Sequence, residues 1–335
     1  MGQRQTIALV TTGGTIAATH QATQSVADYS VTHGAEQLVA AVPTLADLAN
    51  IESYPLYQLD SRNMNQTIQR DLVLHLLHIL AKPHIHAVVL CHGTDTMEET
   101  AMWLHSCIAP TKPVVLVGAM RPASALSADG PLNLHQAFQV ALAPEARHRG
   151  VMLVANDEIH LASRLRKLHQ NATTAFHSNA SGPIGTLGAD GVHFHGAAPA
   201  PNGSALIDIN GLSASLPAID IMFDHPDANL ALYEASIKSG RAGVVIAALG
   251  NGSLSPTARA GATLLHQHGI ACVRSSRIPL GSTTASEQDL DYHSVHGAHF
   301  SAQQCRILLM LGLASGHLTR DALQALFHAA WRYPR

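Results

Sequence analysis

What this chain lacks narrows its function before any motif is read. It has no basic cluster of the kind that follows a phosphate backbone, and its formal net charge is −3, so nucleic acid is not an expected partner. No apolar stretch approaches the roughly 20 residues that span a membrane. Residues 1–10 hold no charged segment leading into a long apolar region and a small-residue cleavage site, and a strand-like run already begins at Ile7. No signal peptide is therefore expected, and the cytoplasm is the expected compartment. Cysteine is scarce: Cys91, Cys107, Cys272 and Cys305 are the whole complement, without metal-ligand spacing or a disulfide framework. Internal repeats and low-complexity segments are missing too.

What is present suits a globular enzyme. The chain has 335 residues, 47% of them hydrophobic, enough for a large core and for two domains. Histidine is abundant, at 23 residues. His84-x-His86 and His193-x-His195 alternate as strand-edge pairs do, but no nearby Cys or carboxylate completes a tetrahedral site, so surface histidines are expected and no metal or other cofactor.

Short apolar runs alternate with helical periodicity, as a parallel sheet flanked by helices requires. Ile7–Val10, Ala87–Leu90, Val114–Val117, Val151–Val154, Gly243–Ala248 and Ile270–Val273 read as strands. Ile68, Leu72, Leu76 and Ile79 fall on one face of a helix, and Ser301-Ala302-Gln303-Gln304 is a capping box opening a helix through Leu313. The stretch 197–217 is rich in Pro, Gly, Ser and Asn, with a brief apolar interruption at Leu206-Ile207. This gives an N-terminal α/β domain over 1–196, a linker over 197–217 and a smaller C-terminal α/β domain over 218–335.

Two threonine loops carry the chemistry. Thr11-Thr12-Gly13-Gly14-Thr15 follows the first strand, and His92-Gly93-Thr94-Asp95-Thr96 follows the run ending at Leu90. Strand-to-helix junctions of parallel sheets bind ligands outside the carboxyl ends of the strands, so both hydroxyls are expected to face one crevice. A phosphate-binding turn does not fit, because the spacing matches neither Gly-x-Gly-x-x-Gly nor the P-loop. Glu98 and Glu99 read as first-turn acids that favour the helix dipole. Lys167 lies beside Arg164, Arg166 and His169, where a charge run by itself reads as a solvated face.

The two loops, with Gly118-Ala119-Met120-Arg121-Pro122, Ser127-Ala128-Asp129-Gly130, Gly250-Asn251-Gly252 and Arg274-Ser275-Ser276-Arg277 in this order, resemble the bacterial-type L-asparaginases. The resemblance implies a flavodoxin-like parallel-sheet N-terminal domain with a smaller α/β domain, and conversion of L-asparagine to L-aspartate and ammonia, with weaker action on L-glutamine. It makes Thr15 the nucleophile and Tyr29 the loop tyrosine that closes over it. Thr94, Lys167 and Asp95 become a proton-relaying triad, since a Thr hydroxyl needs a proton acceptor and an oxyanion site to attack an amide. Ser61 would hold the substrate carboxylate and Asp95 its ammonium, with Gly14, Gly93 and Ala119 lining the substrate and Asn251 bordering it. Glu287, or Gln288 if the alignment shifts by one, would come from a neighbouring subunit. Arg62, where the family commonly has Gln or Glu, either pairs with the substrate carboxylate, which would favour the shorter amide, or turns outward to Asp60.

Secreted relatives often carry a disulfide from the segment before the second motif to near Cys107, whereas Leu76 to Ala87 contains no cysteine here. The resemblance implies a homotetramer built as a dimer of intimate dimers, with no membrane or nucleic-acid partner. Two alternatives stand beside it. An asparaginase-like amidotransferase subunit would need an extra domain ahead of the first motif, and a non-catalytic amino-acid-binding protein would need loss of Thr15, Thr94 or Lys167.

Overall fold

The computed structural model describes residues 4–14, 16, 18–19, 30–31, 35–179, 181–197 and 204–332. The chain divides into two compact units, 1–205 and 206–333, a division that falls inside the Pro/Gly-rich stretch. That stretch is not bare linker over its described part. Ile207, Ile209, Leu212 and Leu216 are buried, and Asp208 caps a single 3₁₀ turn at Ile209–Gly211 by accepting from the Asn210 amide.

The first unit is built on β1 (Thr6–Gly13), followed by a two-residue pair, β2 (Ala18–Thr19) with β3 (Ser30–Val31), and by α1 (Ala35–Ala41) and α2 (Leu45–Leu48). Then come β4 (Asn50–Leu59), α3 (Gln66–Leu80), β5 (Ile85–Cys91), α4 (Met97–Cys107), β6 (Val114–Val117), α5 (Gly130–Leu142), β7 (Val151–Ala155) and β8 (Glu158–Leu161). The hairpin of β9 (Leu165–Lys167) and β10 (Phe176–Ser178) precedes β11 (Gly185–Gly188) and β12 (Gly191–Phe194). The eight-stranded sheet has the order β12-β11-β8-β7-β6-β5-β1-β4 and is parallel from β4 through β7. The antiparallel extension β8-β11-β12 is a finding that the apolar runs do not announce.

The central strands are apolar on both faces because helices cover both. Ile7, Leu9, Val89, Val115 and Val117 share one cluster with Leu38 of α1 and Leu134, Ala137 and Phe138 of α5. The alternate residues Ala8, Val10, Val88 and Leu90, all fully buried, face the other side of the sheet, where α3 packs on β5 and α4 on β7. In α3, Leu72, Val73, Leu76 and Ile79 form the buried stripe, and Asn65 caps the helix by accepting from the Ile68 amide at 3.1 Å. Truncating Leu72 or Leu76 to Ala would cost about 2–5 kcal/mol through the cavity left behind.

The second unit repeats the plan on a smaller scale. Four parallel strands, β13 (Ile219–Phe223), β14 (Gly243–Ala248), β15 (Ala271–Ser276) and β16 (Ser294–His296), lie in that order. They alternate with α6 (Ala231–Lys238), α7 (Pro256–Gln267) and the single turn α8 (Gln288–Asp291), and α9 (Ala302–Ala314) and α10 (Arg320–Arg332) follow. The capping box at α9 is formed in both directions: Gln304 N donates to the Ser301 hydroxyl at 3.0 Å, and Ser301 N donates to the Gln304 side chain at 3.2 Å. Among the described residues, no helix is long and apolar enough to cross a membrane.

Candidate active site

The loops that leave the carboxyl ends of β1, β4 and β5 meet through backbone contact that only small residues allow. Gly13 and Gly14 have φ of +104° and +88°, a region open to glycine. A methyl group on Gly14 would lie 2.4 Å from the Gly93 Cα, and one on Gly93 would lie 2.6 Å from the Ser61 Cβ. Gly14 N–H donates to the Leu59 carbonyl at 3.1 Å, and the Thr96 hydroxyl donates to the Ser61 carbonyl at 2.9 Å. Gly14, Gly93 and Ser61 thus form one surface, with Ser61 almost fully buried.

Beside that surface the Lys167 ammonium donates to Thr94 Oγ1 at 3.0 Å and to Asp95 Oδ1 at 2.6 Å. Thr94 is buried, Lys167 is mostly covered, and the Asp95 side chain is half exposed. A hydroxyl, an ammonium and a carboxylate within direct hydrogen-bond reach are the parts of a proton relay. The covered lysine with an open carboxylate leaves one face of the group to the solvent side, where a substrate would arrive.

Behind this constellation lies a buried chain that the sequence reading passed over. The fully buried His92 donates from Nδ1 to the Gly93 carbonyl at 2.7 Å, Thr100 Oγ1 bonds His92 Nε2 at 2.9 Å, and Gln69 donates to Thr100 at 2.7 Å. Burial pushes His92 down to about 4, so at neutral pH it is uncharged, with its Nδ1 proton fixed by the Gly93 carbonyl. Thr100 lies on α4 one turn after Thr96, and eight residues separate it from His92. The loop after β6 is pinned by Asp129, which accepts from the amides of Met120 and Arg121, both at 2.9 Å. Asn133 donates to the Gly118 carbonyl at 3.1 Å, and a methyl on Gly118 would lie 3.2 Å from Thr94 Cγ2. Ala119 is buried in this loop.

The remaining candidates divide as follows. Thr15 and Tyr29 lie outside the described residues. Arg62 takes the outward of its two alternatives, since its guanidinium grips both Asp60 oxygens at 3.0 and 2.7 Å with its side chain 71% exposed. The Arg62 hydrogen bonds hold the Asp60 carboxyl below the usual carboxylate range. In the second unit, Asn251 Nδ2 donates to Thr284 Oγ1 at 2.7 Å, and Glu287 is exposed just before α8, where Gln288 begins the helix. Glu98 keeps the structural, first-turn place its position suggests, and it also has specific long-range partners. It is buried, accepting from the Arg166 guanidinium at 3.1 Å and from the Lys167 amide at 3.3 Å.

Arg274 likewise proves to be a buried hub of the second unit. It grips Asp289 through two contacts of 2.6 Å and donates to the carbonyls of Gly252 at 3.0 Å and Thr284 at 2.8 Å. Burial alone would raise the Asp289 carboxyl, but the hydrogen bonds and charge of Arg274, with the Ser286 amide and Ser294 hydroxyl, outweigh it and lower it. This one guanidinium therefore holds together the Asn251 loop and the segment leading to Glu287. The paired histidines go to single acids, His84 to Glu52 at 2.8 Å and His193 to Asp190 at 2.9 Å. No group of three or more His, Cys, Asp or Glu able to hold a metal occurs among the described residues. All four cysteines are buried and none forms a disulfide.

Residues 6–200 match the family model "Asparaginase, N-terminal", and residues 218–327 match "Glutaminase/Asparaginase C-terminal domain". L-asparaginase 2 of Bacillus subtilis is 36% identical over 326 residues, covering 96% of this chain and 86% of the relative. Glutaminase-asparaginase of Acinetobacter glutaminasificans is 34% identical over 338 residues, covering 98% and 100%. The crystal structure of a probable cytoplasmic L-asparaginase from Campylobacter jejuni superimposes with a TM-score of 0.91 at 34% identity, covering 97% of this chain and 99% of that one.

Proposed function

The chain belongs to the asparaginase family, and from that premise we infer that it is an L-asparaginase whose reaction runs through a threonine acyl-enzyme. It converts L-asparagine to L-aspartate and ammonia, with L-glutamine as a weaker substrate. The observation that supports the catalytic reading is the lysine within 3.0 Å of Thr94 Oγ1 and 2.6 Å of Asp95 Oδ1.

In this reading Thr15 attacks the side-chain amide carbon. The proton it gives up passes to the departing nitrogen through Thr94 and Lys167, so that ammonia leaves and an ester to Thr15 remains. Water then attacks the ester, its proton returns to Thr15, and the relay ends each cycle in its starting state. The Thr94 amide stabilises the oxyanion, and Tyr29 closes over the nucleophile. Gly14, the residue before Thr15, touches Gly93, the residue before Thr94, which supports the two threonines sharing one substrate.

The substrate's two charges need separate partners. Ser61 and the amides of its loop would take the α-carboxylate. Lys167 engages one oxygen of Asp95, and the half-exposed side chain leaves the other for the α-ammonium. Gly14, Gly93 and Ala119 would line the amide, and Asn251 and Glu287 would complete the site from the neighbouring subunit of an intimate dimer, two such dimers forming a tetramer. The cytoplasm is the proposed compartment. Ammonia release by the purified protein from L-asparagine and L-glutamine, over a wide concentration range, tests this reading. It fails if neither amide is hydrolysed, or if the Thr15→Ala protein keeps substantial activity.

A further inference from the structure

Lys167 does not ride on the main sheet. It ends β9, which pairs with β10 in a separate two-stranded hairpin, so the long parallel ladder does not fix its height over the site. Glu98 joins that hairpin to α4. One carboxylate oxygen accepts from the Arg166 guanidinium at 3.1 Å and the other from the Lys167 backbone amide at 3.3 Å. The two side chains are only 5% and 11% exposed, Arg166 and Glu98 respectively. Glu98 lies in the first turn of α4, just after the Thr94-Asp95 loop. The element that presents the hydroxyl and carboxylate of the relay therefore also grips the backbone of its lysine.

We propose that Glu98, with Arg166, is a positioning residue for this reaction, setting the backbone of Lys167 so that its ammonium spans Thr94 and Asp95. The inference rests on the role given to Lys167 above. Arg166 neutralises and orients the buried carboxylate, which presents its second oxygen to the Lys167 amide. Nζ already stands 3.0 Å from Thr94 Oγ1, near the far end of the roughly 2.6–3.2 Å range for direct proton transfer, so a small drift of the hairpin breaks the relay. Misplacement by about 1 Å costs on the order of a hundredfold in rate.

The decisive variant is Glu98→Leu/Arg166→Leu. It removes both charges together, so no buried ion is left unpaired, but it also removes the acceptor for the Lys167 amide. If Glu98 and Arg166 merely stabilise the fold, the folded variant turns over normally whatever its melting temperature. The expected result is a wild-type melting temperature with kcat on L-asparagine lowered about 30- to 100-fold and KM within about threefold. Should the double variant fail to fold, Glu98→Gln decides. Its single carbonyl oxygen serves only one of the two donors, and kcat is expected to fall about tenfold at nearly constant KM. A kcat within about threefold of wild type in the double variant, or in Glu98→Gln where that variant decides, overturns the proposal. A wild-type protein that releases no ammonia instead refutes the functional reading, and this inference falls with it.

Discussion

Replacing Lys167 by Met separates the catalytic from the structural weight of the relay. The exchange keeps an unbranched stem of similar length and deletes the ammonium, so packing of the stem survives. The interactions lost are the 3.0 Å bond to Thr94 and the 2.6 Å pair with Asp95. Because the Asp95 side chain is 50% exposed, water screens that pair, and its contribution to stability is at most about 1 kcal/mol. For a unit of this size that corresponds to a fall in melting temperature of about 2–4 °C. Loss of a positioned general acid–base group costs 10²–10⁴ in rate, or about 3–5 kcal/mol of transition-state stabilisation. The catalytic term therefore exceeds the structural one several-fold. Ammonia release at 25 °C, measured beside calorimetric melting, is expected to show kcat reduced by at least a hundredfold in a protein that melts almost normally. Turnover within about tenfold of wild type would refute the relay, and a melting temperature lowered by more than about 10 °C would reveal a mainly structural lysine.

Three further outcomes are expected. Burial holds both His92 and His160 down to about 4 against about 6.5 in the unfolded chain, so the unfolded state binds more protons between these values. Stability is then full above about pH 7.5 and declines as pH falls toward 4, by about 2.5 kcal/mol between pH 7 and 5.5 for the two together. Urea titrations should show this loss, and His160→Gln should roughly halve it; a flat profile would contradict it. Arg62→Gln is expected to leave the asparagine-to-glutamine ratio within about twofold, because the guanidinium is engaged with Asp60 at a screened surface, and steady-state kinetics on both amides checks this. Thr15→Ala and Glu287→Ala, unfolded and co-refolded in equal amounts, should regain about a quarter of wild-type activity, since half of the dimers are mixed and each holds one intact site; no regain above the sum of the two, with mixed dimers verified, would show that Glu287 does not act in trans.

The strands were readable because burial on both faces leaves unbroken apolar runs such as Val114–Val117. α3 was readable because its buried stripe repeats at the helical period. The antiparallel strands β8, β11 and β12 were not, being short, half polar and paired at the end of the sheet. Thr94 and Asp95 declare themselves through loop spacing. Lys167 does not, since its run of basic neighbours mimics a solvated face, and Arg166 is buried against Glu98, 68 residues away. Arg274 and Asp289, Gln69 and Thr100, and the buried isoleucines of the 204–217 segment escaped for the same reason. A polar residue's partner, or an apolar residue's cover, is a long-range property that local composition does not carry.

The burial of all four cysteines has a practical side. Cys107 and Cys305 are covered, and Cys91 and Cys272 are raised to about 12 by burial, so almost none of either is thiolate at neutral pH. The native chain is in effect blank to thiol-directed reagents. One cysteine introduced on the surface, near Glu287 or on the β9–β10 hairpin, would react alone, offering a single attachment point for a fluorophore, spin label or polymer without first stripping out the natural thiols.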